Sequence, residues 1–305
     1  MELVKIDYGV LVNQIQRNLP TLPTIVNELT NVLQDPNAST FAVEDVMTSD
    51  QSMTMKILRV ANTSFYRGHG RDRVTEANEA IGTLGFEKIR NVVLTTSVFK
   101  MFSSSTAEKK FSLEGLWKHC LGVASASRCV AKFLGKEWHE KAYTCGLVHD
   151  IGKVARFKLD ESDETDFFLN DSQICLDKKI SFHKSELYNQ SPRHDYLGYL
   201  ICKNWGLSKY VEGVVRWHHE MIRENRQKVT SEEAHELIDL VIFANWAVNE
   251  LKFGFSGHES PEKPTDELLK RLMLDSQLLD QVLADIENEL KTTEDFCDLL
   301  EKGEL

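Results

Sequence analysis

Five of the ten histidines carry the chemistry that this sequence offers: His119, His149, His194, His218 and His219. Each falls on or at the end of a segment with helical periodicity, and His149 runs directly into Asp150-Ile151-Gly152-Lys153. Imidazole nitrogens with a carboxylate suit Fe, Mn or Zn, and an aspartate can bridge two ions. Lys153 could meet a phosphate as a point charge, although a surface lysine beside a helix end is equally ordinary. Asp150 and Lys153 are therefore the candidate catalytic pair. Spacing alone does not bring separate helices together. Next to the metal reading, His119 reads as a core histidine, and His218-His219 as cations at a helix C-terminus. His69, His139, His183, His235 and His258 are expected to be ordinary structural or surface histidines. The six cysteines contain no C-x-x-C pair, which excludes zinc-ribbon and thioredoxin chemistry. With no apolar leader at the N-terminus they read as reduced thiols of a cytoplasmic chain.

The elements that must hold these residues are helices. Ile25, Leu29, Val32 and Leu33 share one face after Leu22-Pro23-Thr24, and Asp35-Pro36 ends that run. Ser39 or Thr40 caps a helix carrying Val43, Val46 and Met47, and Ser49-Asp50 precedes one carrying Met53, Ile57, Leu58 and Ala61. Thr75 opens another, and Gly85 stands where a left-handed C-cap is wanted. The tract Ser103 to Thr106 is the expected boundary, dividing the chain into lobes 1–105 and 106–305. Beyond it lie a long amphipathic helix through Leu116 and Leu134, and helices over 140–149, 194–205, 208–219, 235–251 and 264–290. Gly152 is expected to end the helix that begins near Glu140. The charged run from Lys158 to Asp166 reads as a solvated loop, and residues 255–266 as a second loop. Trp205, Trp217 and Trp246 read as core. No period-two alternation marks a strand, so the expected class is all-α in two helical lobes.

Composition bounds the function. The 305 residues carry 47 acidic and 36 basic side chains, a net charge of -11, so no general nucleic-acid surface is expected. The basic loop Arg67, Arg71 and Arg73, with Phe65 and Tyr66, reads as a solvated turn or protein-contact edge. No run of 18 apolar residues is present, so no membrane span is expected.

The order His119, then His149-Asp150-x-Gly152-Lys153, resembles the signature of the HD metal-dependent phosphohydrolase superfamily. The first lobe adds Leu19-Pro20-Thr21-Leu22-Pro23, Leu33 to Ser39, Ile57 to Tyr66, Ala80 to Gly85 and Arg90 to Leu94. The pattern continues with Glu186, His194, Gly198, Trp205 and His218-His219. Over roughly residues 15–250 the chain resembles the HDOD family, the HD-related output domains of bacterial signalling. That resemblance implies a helical fold and a metal ligand set of His119, His149, Asp150, His194, His218 and His219. It also implies a divalent ion, Fe first and Mn or Zn otherwise, and a signalling protein partner or a nucleotide ligand. Nothing outside residues 15–250 is long enough for a receiver or cyclic-diguanylate domain, so a nearly stand-alone output domain is expected.

One position departs from the pattern. Asn245 stands about where an HD enzyme carries its last aspartate, which leaves Asn245 a weak, neutral ligand. Asp239, six residues earlier, points ~240° away around the helix and is a poor substitute. The Gly-Tyr-Pro of cyclic-diguanylate hydrolases is also missing after His219. Three functions follow as expectations. The first is a signalling output module with a retained or partly degenerate metal site. The second is a metal-dependent phosphohydrolase of a nucleotide or phosphodiester, and the third is a nucleotide sensor without turnover.

Overall fold

The computed structural model describes residues 6–18, 28–29, 32, 39–49, 51–63, 66, 73–103, 112–163 and 166–301. Among them every regular element is a helix and no strand occurs. Most of the expected helix over Ile25 to Leu33, the Asp50 cap, the Arg67–Arg71 loop and the Ser103–Thr106 tract after Ser103 lie outside the described residues.

The chain forms two compact units, Met1–Pro20 with Met101–Glu287, and Thr21–Lys100 with Asn288–Leu305. The expected division is 1–105 and 106–305. The chain passes between the units at Pro20–Thr21, within helix Phe86–Ser103 and within helix Ser276–Glu301. The N-terminal helix α1 (Tyr8–Asn18) joins the larger unit because Tyr8 packs edge-on against Tyr196, centroids 4.7 Å apart. Its hydroxyl also accepts from the Arg193 backbone N–H at 3.1 Å.

The smaller unit buries Val43, Met47, Ile57, Val60, Ala80, Ile81, Val92 and Val93. Ser39 caps α2 (Thr40–Thr48), its hydroxyl accepting from the Ala42 N–H. Asn62 follows α3 (Gln51–Ala61) and ties Val74 to it, donating to the Val74 carbonyl at 2.7 Å and accepting from its N–H at 2.9 Å. Gly85 closes α4 (Ala77–Leu84) with φ +79° and donates to the Ile81 carbonyl; α5 (Phe86–Ser103) follows directly.

The larger unit is built on α6 (Leu113–Phe133), whose Ser112 hydroxyl accepts from the Gly115 N–H. Packed against it is α7 (His139–Val148); α8 (Ile151–Asp163), α9 (Phe167–Lys178) and α10 (Phe182–Asn189) follow along the chain, α8 packing on α9 and α9 on α10. Then follow α11 (His194–Asn204), α12 (Lys209–Trp217), α13 (Glu232–Glu250), α14 (Asp266–Arg271) and α15 (Ser276–Glu301), of which the residues from Asn288 on belong to the smaller unit.

Three sequence expectations fail here. Residues 158–163 continue α8, and Lys158 and Asp160 are buried. Asp160 has a local task, since its carboxylate accepts from the Phe168 N–H at the start of α9. The helix expected over 264–290 is two, broken at Met273 with φ +56° and no glycine or proline to announce it. Trp205, Trp217 and Trp246 are half-buried, while the fully buried tryptophan is Trp117.

Candidate metal centre

Gly152 does not end a helix; it lies inside α8, where a side chain cannot be accommodated. A Cβ there would stand 1.9 Å from the His194 carbonyl oxygen and 2.8 Å from the Gly198 nitrogen. The start of α11 therefore rests on the backbone of α8, and His194 arrives beside Asp150. Gly254 does the same on the other side. It adopts φ +70°, and a Cβ there would meet the His119 nitrogen at 2.2 Å, which presses the 252–258 loop onto α6. His149 and Asp150 fill the junction of α7 and α8, and His218 caps the C-terminus of α12.

These elements converge on the Asp150 carboxylate, which is fully buried. Its Oδ1 lies 3.3 Å from His194 Nε2 and 3.5 Å from His218 Nε2. Its Oδ2 lies 3.3 Å from His149 Nε2, 3.7 Å from His119 Nε2 and 2.7 Å from the Lys153 ammonium. The possible ligand atoms form two groups sharing Asp150: one with His194, His218 and His219, the other with His119 and His149. Within each group they lie inside 4.8 Å of one another.

The hydrogen bonds around the rings fix which nitrogens face inward. A carbonyl can only accept, so His149 Nδ1 donates to Gly146 O at 2.7 Å and His218 Nδ1 to Val215 O at 2.9 Å. His194 Nδ1 donates to Glu186 at 2.8 Å. Three Nε2 lone pairs are thereby aimed at Asp150, and His194 Nε2 approaches His219 Nε2 to 3.0 Å. His149 Nε2, Asp150 Oδ1 and both His119 nitrogens have no hydrogen-bond partner. Converging lone pairs around a carboxylate repel one another unless a cation joins them, and the donor set of imidazole and carboxylate fits a divalent transition ion.

The electrostatics point the same way. Burial opposes the charge of Asp150, yet His149 and Lys153 hold its carboxyl well below the usual range. Burial keeps His119 and His219 neutral and pushes His218 down to about 4. His194 differs: burial again opposes its charge, but Glu186 and Asp150 outweigh it and raise its pKa. A carboxylate behind an imidazole makes its far nitrogen a better base for a proton or an ion.

Lys153, a candidate for phosphate contact, is buried and committed. Its ammonium donates to Asp150 and to the Ser256 carbonyl at 2.9 Å, and lies 5.0 Å from the Phe182 ring centre. Asn245 lies on the wall of a cleft that His218 and His219 also line. Its Oδ1 accepts from Asn249 Nδ2 at 2.9 Å, and Asn249 Oδ1 accepts from the Ser256 hydroxyl.

Several site residues escaped sequence reasoning. Glu186 belonged to the sequence pattern but carried no role; here it orients His194 and accepts from its backbone N–H at 2.9 Å. Arg156 holds Glu186 and Asp171 together, each at 2.5 Å. His183 and His258 are not the ordinary histidines expected. His183 stacks on His219, centroids 4.6 Å apart, and His258 is buried beside the centre.

The sequence profile of the HDOD domain matches residues 19–221. No curated protein matches. Among solved structures, one similar chain is an HDOD domain protein of unknown function from Geobacter sulfurreducens. It is 21% identical with a TM-score of 0.67, over 96% of this chain and 94% of that one. A "Putative signal transduction protein" from Marinobacter aquaeolei is 17% identical with a TM-score of 0.72, over 98% and 68%. A "Putative metal-dependent phosphohydrolase" from Shewanella amazonensis is 18% identical with a TM-score of 0.61, over 94% and 97%. At these identities the likeness is one of fold. The family rests on the profile, which spans two thirds of the residues: this chain belongs to the HDOD domain family.

Proposed function

We propose that this chain is a signal-output module whose larger unit keeps a divalent-ion centre at Asp150. One observation carries the reading: His149, His194 and His218 each commit Nδ1 to a fixed acceptor, so that three Nε2 lone pairs face one buried carboxylate. His119 and His219 complete the two groups that share Asp150. A divalent ion held there supplies Lewis-acid polarisation of a phosphoryl oxygen. Asp150 offers one oxygen to each group, Glu186 holds His194 in its tautomer, and Lys153 offsets the carboxylate charge. The exchange of a carboxylate for Asn245 removes negative charge beside the centre, which favours binding of a phosphate ligand over its efficient turnover.

Elemental analysis of the protein purified without a polyhistidine tag tests this. The expected result is Fe, Mn or Zn at one or two per chain, lost in His149→Ala and Asp150→Ala. Unchanged metal content in both folded variants would overturn it. Hydrolysis of a phosphate ester is the second reading, and the open cleft at His218 and His219 favours it. A phosphodiesterase assay on the metal-loaded sample separates the two.

A further inference from the structure

The cleft beside the histidine cluster is more than an approach to it. It is small and partly open to solvent. His218 and His219 form one end, and Met221, Ile242 and Pro261 supply apolar wall. The rest is neutral and polar: Asn245, Asn249, His258, Ser181 and the edge of Trp246. Among the described residues no lysine or arginine lines it, and the carboxylate that does, Glu262, accepts from the Ser181 hydroxyl and pairs with Lys184.

Two groups on this wall have nothing to bond. His258 is 6% exposed, and its Nδ1 has no partner. Trp246 Nε1 is likewise buried without an acceptor. A buried N–H left unpaired costs about 1–3 kcal/mol, so such groups call for an explanation. Asn245, Asn249 and Ser256 are already bonded to one another and back to Lys153 through the Ser256 carbonyl. That chain makes a rigid wall instead of a set of adaptable side chains. His258, Trp246 and Asn249 lie beyond residue 221, where the HDOD match ends.

We infer that this cleft is the subsite for the organic part of a phosphate monoester, a compact neutral group rich in hydroxyl or carbonyl oxygens, of the sugar-phosphate kind. The inference rests on the ion centre proposed above, which would take the phosphoryl group at the His218–His219 end. The Trp246 N–H donates to a ligand oxygen, and His258 Nδ1 pairs with a ligand hydroxyl. The apolar side covers the carbon skeleton. The cation beside this wall, Lys184, is already paired with the Glu262 carboxylate, so a second phosphoryl group gains no unpaired positive charge there, and bisphosphates and oligophosphates are selected against.

Calorimetry on the full, metal-loaded chain tests this with three probes: inorganic phosphate, ribose 5-phosphate and ribose 1,5-bisphosphate. Ribose 5-phosphate should bind at least tenfold more tightly than phosphate, and the bisphosphate should lose most of that gain. Trp246→Phe, which keeps the ring and removes only the N–H, should cut the ribose 5-phosphate gain severalfold and leave inorganic phosphate unchanged. His258→Ala should do the same, each variant being checked for an unshifted melting curve. If phosphate binds only with the ion present but the sugar ester binds no better, the subsite is wrong and the ion centre stands. Ion-dependent phosphate binding that is absent altogether would overturn both. A tighter complex with the bisphosphate would also overturn the subsite.

Discussion

Two buried aspartates in the larger unit share a degree of burial and differ in everything around them. Asp239 on α13 is met by Arg223, Arg226 and Arg271, each through its guanidinium at 2.5–3.1 Å. Arg271 also donates to the Met221 carbonyl and Arg226 to the Glu220 and His235 carbonyls, so the cluster is closed on itself. Burial opposes the Asp239 charge, yet the three arginines hold its pKa below the ordinary value. Asp150 has one permanent cation, Lys153, and otherwise faces imidazole lone pairs with no donor to satisfy them. The contrast separates a clamp from a site. A carboxylate whose charge and lone pairs are fully matched from within the chain holds elements together; one left short of positive charge is built to receive it.

The sharpest test exchanges the two roles by mutation. Asp239→Asn leaves three arginines around a neutral amide. Breaking a buried ion pair from one side costs about 3–5 kcal/mol, so a large drop in denaturation midpoint is expected. Metal content per folded molecule should not change. Asp150→Asn should give the opposite pattern: loss of the ion and of its stabilisation, with a smaller change in the metal-free protein. At free ion ~100 times Kd, that lost stabilisation is about 2.7 kcal/mol. Thermal melts of both variants with and without chelator read this directly. Equal sensitivity to chelator in the two would erase the distinction.

How much of this was legible in the sequence follows from how local each feature is. The all-helical class was legible because apolar spacing and scarce Gly and Pro are local signals. The helices over 140–149, 194–205 and 208–219 match His139–Val148, His194–Asn204 and Lys209–Trp217 within two residues at each end. The break at Met273 was not, because it adopts φ +56° with no turn residue to mark it. The charged run at 158–163 misled because Asp160 is turned inward to cap the next helix. The outward orientation expected for Asp239 relative to the ligand helix face agrees with its arginine clamp. The motif histidines were readable as a set, yet their division into two groups around Asp150 depends on which carboxylate oxygen each approaches. His258 joins the centre across more than 60 residues of chain, and Glu186 through the orientation of the His194 ring, and no spacing rule reports either.

Glu186 lies between the two kinds of carboxylate and makes the comparison finer. Arg156 compensates it as the arginines do Asp239, but its other oxygen serves His194. Burial opposes its charge, and His194 with Arg156 still brings it down to about 2. Glu186→Gln keeps the shape and the Arg156 contact while replacing a charged acceptor behind the imidazole. Loss of such a partner weakens ion binding by roughly 10–100-fold. Titration of the apo protein with Zn(II) or Mn(II) should show that loss. A purely clamping role would lower the melting temperature and leave ion affinity untouched.

The smallest expected effect belongs to Asn245, and it bears on whether the centre turns over a substrate. An aspartate there would add a negative charge on the cleft wall that His218 and His219 share, beside a centre short of carboxylates. Asn249 Nδ2 already donates to the residue 245 oxygen, so Asn245→Asp can keep that bond and its orientation. Ion affinity should therefore rise modestly. Hydrolysis of a generic phosphodiester should rise by less than tenfold, which is under about 1.4 kcal/mol of barrier. The reason is one of scale. Holding a substrate in a reactive geometry is worth ~7–11 kcal/mol in organised sites, and a single carboxylate supplies charge without supplying that alignment. Steady-state assays of the metal-loaded variant decide the matter: an increase of tenfold or more would mean that the cleft already orients a substrate and that one missing charge alone kept this chain from hydrolysis.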